Sequence, residues 1–215
     1  MLASRPRAGA AVWAVAARDA DRCMRRYRPS WYKAAMPAST THVALLRGVN
    51  VGGNKRVPMA EWRVLLEDLG CTRVRTLLNS GNAVFDATPS AQHAARIRQA
   101  LLHGLGIEVP VIVKTAAEMA AVEAENPLLD VAIDASRLIV AFTAAAPDLA
   151  AMAALASLIE PPERLHIGRH AAYLWCANGI LESKAGAALL GRLGRAATTR
   201  NWATVLKIRA LIQDA

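Results

Sequence analysis

Three observations predict an α+β fold for this chain. From residue 41 onward, apolar residues switch repeatedly between strand-like and helix-like spacing. The elements come in the order strand, helix, strand, strand, helix, strand, and a looser version of that order follows. At 215 residues with 54% hydrophobic and 20% charged content, the chain has interior enough for two small units. Its longest apolar runs fall well short of the roughly 20 residues that a membrane helix needs.

The first half reads clearly. Residues 42–46 form a short apolar strand, and residues 58–69 a helix with Pro58 at its first position and Gly70 beyond its end. Met59, Trp62, Leu65, Leu66 and Leu69 recur at three- and four-residue spacing, which puts them on one helix face. Residues 73–78 are a strand, Asn79-Ser80-Gly81-Asn82 has turn chemistry, and residues 83–86 return as the hairpin partner. Thr88-Pro89 opens a second helix to about residue 103, with Ile97 and Leu101 facing inward. Residues 109–114 complete the set as a strand whose Pro110 suits an edge. This is the split β-α-β, or ferredoxin-like, order, which places the first and third strands centrally and both helices on one face.

The second half repeats the plan. Thr115 and Glu118 have the spacing of a capping box, opening a helix to about residue 125. A strand at 137–143 precedes a helix at 147–158 carrying Leu149, Met152 and Leu155. Residues 163–167 and 171–176 pair across a turn at 168–170. Helices at 184–193 and about 200–213, separated by a turn at 196–199, close the chain. The expectation is two ferredoxin-like units with extra C-terminal helices, spanning residues 41–115 and 116–215. No residue-level repeat accompanies the architectural one.

The formal charge of +9 suggests a polyanion partner until it is divided along the chain. Residues 1–35 carry eight Lys/Arg against two acids, whereas the rest carries 18 against 15. The body is only mildly basic. Residues 1–40 read as a disordered basic extension, or as a mis-started one upstream of Met36. The apolar stretch at 8–17 is broken early by returning charges, which argues against a secretory signal; an Arg-rich transit peptide is the other targeting reading. Cys23, Cys71 and Cys176 are odd in number and widely spaced, so neither a disulfide framework nor a zinc knuckle is indicated. A cytoplasmic setting follows.

Four features bear on chemistry. Residues 45–59 run from an apolar strand through the glycine-rich basic loop Arg47-Gly48-Val49-Asn50-Val51-Gly52-Gly53-Asn54-Lys55-Arg56 into a helix opening on Pro58. Backbone N–H groups, a helix N-terminus and cations aimed at one volume suit an anion. The spacing matches neither a P-loop nor a Rossmann fingerprint. The turn Asn79-Ser80-Gly81-Asn82 is the second feature. Parallel first and second strands put it at the same end of the sheet as the basic loop. Third, Thr198 or Thr199 is expected to cap the last helix, with Arg200 near its positive end. The fourth, His166 and His170, flanks a hairpin turn and lacks the partners of a zinc site. No GxSxG elbow or Cys–His arrangement indicates a nucleophile.

Three motifs together resemble a bacterial family, domain of unknown function 1697. They are Leu45-Leu46-Arg47-Gly48-Val49-Asn50-Val51-Gly52-Gly53-Asn54-Lys55-Arg56-Val57-Pro58-Met59, then Val74-Arg75-Thr76 leading to Asn79-Ser80-Gly81-Asn82-Ala83-Val84-Phe85, and finally Thr198-Thr199-Arg200-Asn201-Trp202-Ala203-Thr204-Val205. The resemblance runs from about residue 41 to the C-terminus. It implies a compact α+β protein of ferredoxin-like units and brings no established activity or catalytic residue. Asn79 stands where many members have glutamine, a longer polar side chain.

The expected function is binding of a small phosphorylated or carboxylated molecule at the end of the first sheet. Its ligand-binding residues are Arg47, Asn50, Gly52, Gly53, Lys55, Arg56, Ser80, Asn82, Thr199 and Arg200. Lys55, Arg56 and Arg200 supply charge, the Gly52-Gly53 amides donate, and Asn50, Ser80 and Asn82 orient the ligand. The alternative is a structural or protein-interaction module without catalysis. Nucleic-acid binding is less favoured, because the central strands offer only Phe85 for base stacking and the body's charge is small. The sequence names no reaction, cofactor or oligomeric state, and indicates no metal or membrane partner.

Overall fold

The two central strands of the first half have both faces buried, each against different partners. A computed structural model describes residues 38–51 and 55–214. The predicted extension at 1–40 therefore lies almost wholly outside the described residues, as do Gly52, Gly53 and Asn54. Strand β1 (Thr40–Leu46), helix α1 (Met59–Asp68), β2 (Thr72–Leu77), β3 (Asn82–Ala87), α2 (His93–Leu105) and β4 (Val111–Thr115) follow in order. The sheet order is β2-β3-β1-β4, with every neighbouring pair antiparallel. β1 and β3 are central and β1 runs parallel to β2, as a split β-α-β requires. Period two then divides β1: Ala44 and Leu46 face Trp62 and Leu66 of α1 and Ile97 and Leu101 of α2, whereas Val43 and Leu45 face the other way.

Strand β4 runs directly into α3 (Ala116–Ala124), where the Thr115–Glu118 capping box is formed in both directions. The second half contains β5 (Leu138–Thr143), α4 (Ala146–Ala150) continuing as a 3₁₀ helix (Ala151–Leu158), and β6 (Arg164–Ile167). It continues with β7 (Ala172–Trp175), α5 (Lys184–Leu190), β8 (Ala197–Asn201) and α6 (Trp202–Gln213). Its sheet order, β6-β7-β5-β8, reproduces that of the first sheet. The fold is α+β, with two four-stranded antiparallel sheets of ferredoxin-like order.

The sheets share an interior. Val43, Leu45 and Val84 from the first meet Val140, Phe142 and Tyr173 from the second, with Met119 and Val122 of α3 and Trp202, Val205 and Ile208 of α6 filling between. Ile139, Ala141 and Leu174, on the opposite face of the second sheet, pack on Met152, Leu155 and Leu189. Ser39–Ala215 forms one compact unit. No helix among the described residues is long and apolar enough to cross a membrane.

Three local expectations are corrected. Residues 197–201 are strand β8 on the edge beside β5, rather than a turn and a helix start. The last helix begins at Trp202 and is capped by Asn201, whose side chain accepts from Thr204 N, so neither Thr198 nor Thr199 is its cap. Only the first turn of the 147–158 segment is α-helical. Leu149, Met152, Leu155 and Leu158 recur every three residues, and a 3₁₀ winding lines up that spacing.

Candidate functional site

The site grows from the parallel relation of β1 and β2. The chain leaving β1 and the turn leaving β2 meet at one end of the sheet, where Leu46 N donates to Gly81 O at 2.9 Å. The turn is made by Leu78 and Gly81, both at positive φ, and Gly81 is packed hard against Leu46 and Val49. Asn50, also at positive φ, holds the loop in shape. Its Oδ1 accepts from Val57 N at 2.9 Å, while Nδ2 donates to Val57 O at 3.0 Å and to Asn79 O at 2.6 Å. One carboxamide thus closes the 50–57 loop and fastens it to the β2–β3 turn.

Arg200 enters from the other sheet. It is 8% exposed, and each of its five N–H groups has an acceptor. Nε donates to Asn82 Oδ1, Nη1 to Thr198 Oγ1 (2.9 Å) and Thr199 O (2.7 Å), and Nη2 to Leu46 O (2.8 Å) and Ser80 O (2.9 Å). Asn82, fully buried, passes its own amide protons to Leu77 O (3.0 Å) and Ser80 Oγ (2.8 Å). Thr198 Oγ1 adds a bond to Leu46 O at 3.1 Å. Burial lowers the Arg200 pKa to about 10, which leaves it cationic at neutral pH. All its partners are neutral, so its charge is solvated by protein dipoles rather than cancelled.

The remaining cations are more open. Arg47 is half-buried and donates to the Arg195 carbonyl. Lys55, exposed and at positive φ, donates to Glu108 O at 3.0 Å. Arg56 is exposed. The ion pairs of the described residues, such as Arg73–Asp86 and Lys184–Glu160, include none of Arg47, Lys55, Arg56 and Arg200.

Two clefts flank the loop. One, of about 660 Å³, lies between Asn50, Arg56 and Asn79 and the start of α1 at Pro58 and Met59. The other, of about 630 Å³, lies between Arg47 and Lys55 on one side and Thr199 and Leu190 on the other. The expected site residues are therefore divided. Ser80, Asn82 and Arg200 bond mainly to one another and to nearby backbone, Arg47, Lys55, Arg56 and Thr199 line open space, and Asn50 does both.

A second polar junction was not foreseen in the sequence. Glu125, the residue ending α3, accepts from His170 N (2.9 Å), Arg169 N (3.2 Å) and Tyr173 Oη (3.1 Å), and pairs with His170 Nδ1 (3.2 Å). It holds the β6–β7 turn from outside. An acidic residue at a helix C-terminus opposes the helix dipole, and that was the available signal.

The family described as a protein of unknown function, DUF1697, matches residues 39–173, so the Thr198–Trp202 motif lies beyond the matched span. The solved structure of the conserved bacterial protein SP0830 from Streptococcus pneumoniae is similar, with a TM-score of 0.68 and 28% sequence identity. That similarity covers 81% of this chain and 99% of the other. No curated protein matches the chain.

Proposed function

The chain belongs to the DUF1697 family, which supplies no reaction to inherit, and we propose that it binds a small phosphorylated or carboxylated molecule at the loop end of the first sheet. One observation carries the reading: Arg47, Lys55, Arg56 and Arg200 lie around the exit of β1, in two clefts and the buried junction, and none is ion-paired with a carboxylate among the described residues. Arg200 contributes a fixed positive field from beneath, since its donors are all engaged. Arg47, Lys55 and Arg56 face the clefts and are the groups available for contact. Gly52 and Gly53 remain proposed amide donors within the same loop. A cytoplasmic setting is part of the reading, supported by the free, buried thiols of Cys71 and Cys176.

A structural or interaction module without a ligand is the second reading. It is favoured by the self-contained bonding of Asn50, Asn82 and Arg200.

Thermal unfolding in the presence of inorganic phosphate, pyrophosphate, nucleoside phosphates and small carboxylates separates the two. A ligand at 100 times its Kd stabilises by about 2.7 kcal/mol, or roughly 5–10 °C for a domain of this size. The expected result is such a shift with at least one ligand, lost in Lys55→Ala/Arg56→Ala. A shift that survives both substitutions, or no shift across the panel, removes the proposal.

A further inference from the structure

The cleft between the exit of β1 and helix α5 has two chemically different walls. Arg47 and Lys55 stand on one. Val51, Pro110, Leu189 and Leu190 supply an apolar lining around the rest. Leu189 is buried, but Val51 is 70% exposed and Leu190 46% exposed. Large apolar side chains left in water are unremarkable one at a time. Here they line a concavity of about 630 Å³ beside two cations without carboxylate partners among the described residues. That volume lies within the range of small-molecule sites, which combine an apolar lining with a few convergent polar groups.

We infer that this cleft takes an organic anion, a phosphate or carboxylate joined to an apolar body, rather than a free inorganic anion. The inference rests on the anion reading above and narrows it in two ways. It selects the Arg47/Lys55 cleft over the Arg56 cleft. It also assigns the second half of the chain a share in recognition, because Leu189 and Leu190 come from α5 and Thr199 from β8. The charged group sits against Arg47 and Lys55, with the Thr199 hydroxyl within the same lining as a further polar contact. The body then covers Leu190 and Val51, taking apolar surface out of water on both partners.

Two pairs of probes test it by isothermal titration: phenyl phosphate against inorganic phosphate, and benzoate against acetate. Each pair keeps the anion type and changes the body, and comparing the pairs distinguishes phosphate from carboxylate. The expected result is at least ten-fold tighter binding of the aryl member of one pair. That preference should fall to about two-fold or less in Leu190→Ser, with Val51→Ser as an independent second variant. Both positions are exposed, and thermal unfolding of each variant checks that it is folded. Equal affinity within both pairs, with binding lost in Lys55→Ala, overturns this inference and leaves the anion reading standing. An aryl preference unchanged in both serine variants overturns it as well. No binding of any probe, together with no response across the wider phosphate and carboxylate panel, removes both.

Discussion

Arg200 on β8 donates through Nε to Asn82 Oδ1 at the head of β3, 2.5 Å away and 118 residues distant in sequence. The guanidinium also reaches Leu46 O at the end of β1 and Ser80 O in the β2–β3 turn, so one side chain of the second sheet holds two backbone carbonyls and one side chain of the first. A reciprocal arrangement exists at the β6–β7 turn, where Glu125 from the end of α3 accepts three N–H groups. Each hairpin turn is thus held by a charged side chain from an element outside the hairpin, β8 of the other sheet in one case and the end of α3 in the other.

Replacing Arg200 by Lys should therefore cost much more than a like-charge exchange usually does. An ammonium has three tetrahedral donors and cannot span acceptors on Asn82, Thr198, Thr199, Leu46 and Ser80. At least two buried acceptors lose their partner, at about 1–3 kcal/mol each with incomplete additivity. We expect a loss of about 2–4 kcal/mol by urea unfolding, with a coupling above about 1 kcal/mol to Asn82→Ala in a double-mutant cycle. A loss below about 1 kcal/mol would show that the junction contributes little to the fold.

Gly81→Ala probes the same junction sterically. Gly81 has φ of 71°, and a Cβ there would lie 2.6 Å from Leu46 Cβ and 2.8 Å from Val49 Cγ2. Left-handed strain of about 1–2 kcal/mol then adds to an overpacking cost of about 1–3 kcal/mol. Gly179 is the control: its φ is 98° and nothing lies within 4 Å of an added Cβ. Gly81→Ala should destabilise clearly more than Gly179→Ala, and equal losses would remove the packing argument.

The first sheet was legible because its signals are local. The short apolar run of β1, the Pro58 start and Gly70 stop around α1, and the Thr115–Glu118 capping box each depend on a few adjacent residues. The parallel relation of β1 and β2 then placed the basic loop beside the Asn79–Asn82 turn, and the Asn50–Asn79 bond is its direct expression. Strand β8 was hidden for the opposite reason. Ala197-Thr198-Thr199-Arg200-Asn201 is too short to announce a strand, and its conformation depends on pairing with β5, more than fifty residues earlier. Misplacing Arg200 at a helix start followed from that. Charge and residue type marked it as important, but the number of neutral acceptors folding around it was not readable from spacing.

Glu125→Gln tests the second junction. Burial favours the protonated acid, but hydrogen bonds from His170 and Arg169 N–H and from Tyr173 outweigh it and hold the carboxyl below its ordinary value. A lowered folded pKa gives stability that is present above the unfolded value, about 4.3, and lost as pH falls through the folded value. At pH 7 the substitution should cost about 1–2 kcal/mol and speed hydrogen exchange at the Arg169 and His170 amides. Below pH 4 the difference from the parent should shrink, and a pH-independent difference would contradict the ionised-acceptor account.

His42 sets a separate pH limit. The residue is 4% exposed in β1, its ring stacked on Phe85 at 5.6 Å and edge-on to His93 at 4.8 Å, with Nδ1 2.8 Å from Thr40 O. Burial, aided by His93, lowers its pKa against the opposing effects of the Thr40 carbonyl, Asp86 and Glu118. The unfolded chain takes up a proton near pH 6.5 while the folded one resists, so the unfolded state binds more protons just below that value. Stability should fall as pH drops from about 6.5 towards the folded value, then level off below it. Urea midpoints between pH 7.5 and 5 should show this decline in the parent protein. In His42→Leu, which removes the ring nitrogens and keeps an apolar side chain in the strand, the decline should be visibly shallower. Parallel curves for the two proteins would assign the acid sensitivity to another group.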